Sequence, residues 1–77
     1  MTAKKLNYAK LLGKIRECGL TQADLAEKIG IHKGTLSAKL NNQFSFTIKE
    51  MLAIGEVLEI PQGELGDYFF AEEVQKT

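Results

Sequence analysis

Lys33, Gly34, Ser37 and Ala38 lie close together in a short polar segment, and their side chains suit the edges of base pairs. A lysine ammonium donates to guanine O6 and N7, a serine hydroxyl serves either base type, and an alanine methyl packs on a thymine methyl. Gly34 costs a helix about 1 kcal/mol relative to alanine, yet it lets a helix backbone approach a base pair closely. Gln22 stands where a helix begins, so its amide and the free backbone N–H groups around it favour a phosphate. The chemistry expected of these residues is duplex recognition rather than bond making.

Catalysis has little to work with. One histidine and one cysteine leave no nucleophile and base pair, and no glycine-rich phosphate loop occurs. His32 and Ser37 are five residues apart, so on a helix they point in different directions. With no second histidine and no thiolate cluster, neither a metal site nor a cofactor is expected, and the chain reads as a non-enzyme. Cys18, the single cysteine, is expected to be a small buried thiol.

The elements that must position this segment are all helical. Asn7 caps a first helix carrying Leu11, Leu12 and Ile15 and ending near Gly19. Thr21 and Asp24 form a capping box for a second helix, with Leu20 and Leu25 as its hydrophobic staple, and Gly30 stops it after about two turns. A third helix runs from about Lys33 to Leu40, with Leu36 and Leu40 on its inner face and Asn41-Asn42 as its exit. With those leucines inward, Gly34, Ser37, Ala38 and Asn41 point outward, and Lys33 and Thr35 flank them. Thr47 with Glu50 and Phe46 with Met51 open a fourth helix, in which Ile48, Met51 and Leu52 are expected to face inward, with Val57 and Leu58. Pro61 ends that helix and opens a short fifth one through Glu64 and Leu65. Tyr68, Phe69 and Phe70 follow, and one of the two phenylalanine rings is expected in the core.

No period-two alternation and no Asn-Gly or Asp-Gly hairpin turn appears, so the fold class is all-α, a compact five-helix domain. A chain of 77 residues makes one domain and buries only about 60% of its unfolded surface. Its core is expected over residues 6–70 and its helix pair over 21–42, with a charged tail at 71–77. No apolar run is long enough to span a bilayer and residues 1–10 are too polar for a secretory signal, which leads to an expected cytoplasmic location.

Net charge is zero, but it is unevenly divided. Residues 1–43 hold eight basic groups against three acidic ones, a net of +5, and residues 44–77 hold two against seven, a net of −5. Such asymmetry marks an electrostatic docking face.

The stretch TQADLAEKIGIHKGTLSAKL, from Thr21 to Leu40, joins two short helices at a glycine with small and apolar residues at the offsets a helix-turn-helix needs. Over residues 6–70 the chain resembles the Cro and CI type (XRE-like) phage and prophage regulators. That resemblance implies a lambda-repressor-like fold and sequence-specific duplex binding, with the second helix of the pair in the major groove. It implies base contacts from Lys33, Gly34, Ser37 and Ala38. It implies backbone contacts from Gln22, Thr35 and Asn41, and also from His32, which stands where the family has a Ser or Thr cap. Lys39 occupies a position commonly apolar in that family, with Leu40 substituting one residue later. The expected partners are an operator duplex and a second copy of the chain, because two helices about 34 Å apart match a pseudo-palindrome. The alternative is a protein-interaction module, an antirepressor or repressor modulator, that keeps the fold and binds another regulator. Neutral net charge favours the alternative; the small polar face of the third helix favours DNA.

Overall fold

The computed structural model describes residues 6–71. Lys4, Lys5 and residues 72–77 of the charged tail lie outside them. Five helices follow one another: α1 (Ala9–Glu17), α2 (Gln22–Ile29), α3 (Lys33–Leu40), α4 (Ile48–Val57) and, after a 3-10 turn at Gln62–Glu64, α5 (Leu65–Phe69). No strand occurs among the described residues, and the fold is all-α as the pattern requires.

Local chemistry explains most of the boundaries. Thr21 and Asp24 exchange bonds across the start of α2, each backbone N–H donating to the other side chain, at 2.9 and 3.1 Å. Thr47 and Glu50 repeat the arrangement at α4. Gly30 closes α2 at φ +80°, a left-handed conformation that glycine adopts without strain. Asn7 acts one residue earlier than a formal cap: its Oδ1 accepts from the Ala9 N–H at 2.9 Å.

The second helix is the hub, packing on α3 and α4, while α1 and α4 close on α5. Leu11, Leu25, Leu36, Ile54, Leu58 and Phe69 are fully enclosed. Tyr8, Phe46 and Phe69 stack edge to face, with ring centres 5.5 and 5.2 Å apart. Burial pushes the Tyr8 phenol above its ordinary value of 10.0. Phe69 is therefore the enclosed ring of its pair, and Phe70 is 59% exposed.

Two contacts tie distant segments. Asn42, left-handed at φ 64°, accepts from the Leu6 N–H at 2.9 Å and donates to the Leu6 carbonyl at 3.0 Å. The neighbouring Asn7 N–H donates to the Ala71 carbonyl at 2.6 Å, so both ends of the described chain meet beside the loop after α3.

Three expectations need correction. Ile48 and Leu52 do not face inward: they are 74% and 45% exposed, and the inner stripe of α4 is Ile54, Gly55 and Leu58. Cys18 is exposed rather than buried, because it follows the last residue of α1 where the chain turns outward at Gly19. Its thiol reaches only the Leu58 carbonyl, at 3.9 Å. Lys39 is buried alongside Leu40 rather than replaced by it, and its ammonium contacts Glu50 Oε1.

Candidate interaction surfaces

The helix pair α2–α3 forms as expected, and α3 sits between a histidine cap and an asparagine exit. His32 Nδ1 accepts from the Gly34 N–H at 3.1 Å, satisfying one of the free donors of the first turn. A Cβ built at position 34 would come within 3.3 Å of that ring. The missing side chain at Gly34 thus has an internal use, room for the His32 cap, independent of any approach to DNA.

Removing the cap gives a clean test. His32→Ala is expected to destabilise the fold by about 1 kcal/mol in urea titrations, with His32→Asn restoring most of the loss. Equal stability of all three proteins would rule out the capping role.

The candidate duplex-contacting residues differ in exposure. Lys33, Gly34, Thr35 and Asn41 are exposed, whereas Ser37, Ala38 and Gln22 are half-buried. The burial of Lys39 turns the inner face of α3 by roughly 30° from the direction set by Leu36 and Leu40 alone, and Gly34, Ser37, Ala38 and Asn41 stay on the outward side. The Asn41 amide makes one long contact with Ser37 Oγ, at 3.5 Å. What α3 presents to solvent is small and polar, with one cation, Lys33, at its start.

The larger exposed apolar side chains lie elsewhere. Phe44 sits in the loop before α4, 64% exposed, and Ile48 and Leu52 stand one turn apart on α4. Leu52 continues into a shallow groove between α4 and the 3-10 turn, lined with Gly55, Glu56, Ile60, Gln62 and Leu65. Gly55 permits this packing, since a Cβ there would lie 2.7 Å from Leu65 Cδ2.

Sequence reasoning missed this surface. The available signal was the apolar excess of α4, which carries more apolar positions than one inward stripe can use.

The Lys39–Glu50 pair holds α3 against α4 beneath these two surfaces, with side chains only 10% and 17% exposed. Burial alone would raise the Glu50 carboxyl. The bond from Lys39 and the Thr47 N–H outweigh it and hold the group below its ordinary 4.5. Asp24 is held below its ordinary value by the backbone N–H and hydroxyl of Thr21.

A family model described as a protein of unknown function (DUF739) matches residues 5–72. The solution structure of the modulator of repression (MOR) of the temperate bacteriophage TP901-1 from Lactococcus lactis is similar to this chain, with a TM-score of 0.74 and 36% sequence identity. The likeness covers 91% of this chain and 95% of that one. No curated protein matches. Neither match is to a Cro or CI regulator, so that narrower resemblance rests on the helix pair alone.

Proposed function

The chain belongs to the DUF739 family, and we propose that it is a phage or prophage modulator of repression that acts by binding a repressor protein. The observation that carries this reading is the likeness to the TP901-1 modulator of repression, at 36% identity over nearly the whole length of both chains. The exposed residues support it. A protein interface is built around apolar or aromatic anchors, and this chain exposes Phe44, Ile48, Leu52 and Phe70 away from the face of α3. The role is regulatory and non-catalytic, and it is exercised in the cytoplasm. Among the described residues, no helix is long and apolar enough to cross a membrane.

A second reading, operator binding by a homodimer through α3, is favoured by the basic charge of residues 1–43 and by the helix-turn-helix pair. In it Lys33, Gly34, Ser37 and Ala38 read bases, and Gln22, His32, Thr35 and Asn41 hold phosphates. It is the weaker reading, because Gly34 and His32 already serve each other at the helix start and Ser37 and Ala38 are half-buried.

Selection from a random duplex pool at low and moderate salt separates the two. The modulator reading expects no enriched motif at either salt. The operator reading expects a two-fold-related motif whose affinity falls steeply with salt, is weakened on all sequences by Gln22→Ala, and loses discrimination with Lys33→Ala.

A further inference from the structure

We propose that the groove between α4 and the 3-10 turn, with Ile48 and Leu52 beside it, is a docking site for a basic amphipathic helix of a partner protein. The inference rests on the reading of the chain as a protein-binding modulator and names the surface and its occupant.

The apolar part comes from the phase of α4. Its buried stripe of Ile54, Gly55 and Leu58 leaves Ile48 and Leu52 in solvent, four residues apart on one side of the helix. Glu56 continues that side by another turn and lines the groove with Leu52. The opposite wall is Leu65, half-buried, which lies over Gly55 because that position has no side chain. A groove with apolar anchors at the spacing of helix turns accepts the apolar face of another helix.

The charge around the groove selects the occupant. Between residues 44 and 71 the only basic side chain is Lys49, against Glu50, Glu56, Glu59, Glu64 and Asp67, and from α1 Lys10 lies over the Tyr68 ring at 4.7 Å. Glu50 is already neutralised by Lys39. Glu56, Glu64 and Asp67 are exposed and form no ion pair among the described residues. An apolar centre with an acidic surround complements a helix whose leucines are flanked by lysine or arginine, and it repels one flanked by carboxylates.

The test uses the whole chain and two synthetic helical peptides of about 18 residues, long enough to hold helical structure. Both carry leucines at helix-turn spacing; one is flanked by lysine, the other by glutamate. Backbone amide shifts are followed by NMR during each titration. The lysine peptide is expected to move the amides of Ile48, Leu52, Glu56 and Leu65, at least about tenfold more tightly than the glutamate peptide. Leu52→Asp is expected to abolish the response, and Glu56→Lys, an exposed change that leaves the core untouched, to narrow the preference between peptides.

Equal binding of both peptides would overturn the proposal, as would shifts centred on α3 or no shifts at all. Concentration-dependent movement of the same amides without peptide would assign the groove to a second copy of the chain and overturn it too. Binding of the cognate repressor is measured in parallel. A repressor that binds wild-type and Leu52→Asp equally would refute this surface and leave the proposed function standing. A repressor that never binds would refute the function, and the peptides would still decide the groove.

Discussion

Phe69→Ala is expected to remove about 3–5 kcal/mol of folding stability, the range for deleting an enclosed aromatic side chain. Folding a domain of this length is worth only about 4–12 kcal/mol, so most of the margin would go. The loss is large because the ring is 1% exposed and closes the edge-to-face series that Tyr8 and Phe46 begin. Phe70→Ala is the matched control. With its ring 59% exposed, the change is expected to fall within about 0.5 kcal/mol of wild type. Urea titration followed by far-UV circular dichroism reads both. Similar losses in the two proteins, or a stable Phe69→Ala, would show that the aromatic cluster does not hold α5 to the core.

Glu50→Gln is expected to cost about 2–4 kcal/mol, and the Lys39→Met/Glu50→Gln double substitution to recover most of it. Glutamine preserves the capping geometry at Thr47, so the substitution isolates the ion pair. It leaves the Lys39 ammonium buried without a counter-charge, which is more costly than removing both charges together. An additive double mutant would contradict this coupling.

Acid should act on the same pair. The Glu50 carboxyl titrates lower in the folded chain than its ordinary 4.5. The unfolded chain therefore takes up the proton first. The stabilisation is complete well above 4.5 and is lost as pH falls through the lower folded value. Asp24 adds a contribution of the same sign. Urea midpoints are expected to fall with acid in wild type and less steeply in Glu50→Gln.

The elements were legible because their ends are written locally. Both capping boxes span only four positions, and Gly30 interrupts the chain where α2 stops, whereas α4 stops at Val57, four residues before the expected Pro61, with Glu59 left-handed at φ 56° just beyond it. The inward phase of α4 was not legible. Ile48 and Leu52 form one apolar stripe and Met51, Ile54 and Leu58 another, and only packing against α2 and α5 chooses between them. The burial of Lys39 was unreadable for a related reason: its partner is eleven residues away, across the loop between α3 and α4. The Asn42 bridge to Leu6 spans 36 residues, and no local pattern announces it.

These misplacements bear on function. With Ile48 and Leu52 assigned to the core, the chain offers only α3 as a recognition surface, and a helix-turn-helix then reads as a DNA-binding one. Returning them to solvent supplies the apolar anchors that a protein-binding reading lacked. The fold was thus inferred more securely than the partner, because one helix pair serves either use.

The most direct test is calorimetric titration of this chain into the purified repressor of its own phage or prophage, with operator duplex titrated separately. A modulator of repression gives saturable heat of fixed stoichiometry with the repressor, at a Kd of about micromolar or tighter, and none with the duplex alone. Heat with the duplex and none with the repressor would contradict that reading and return the function to α3.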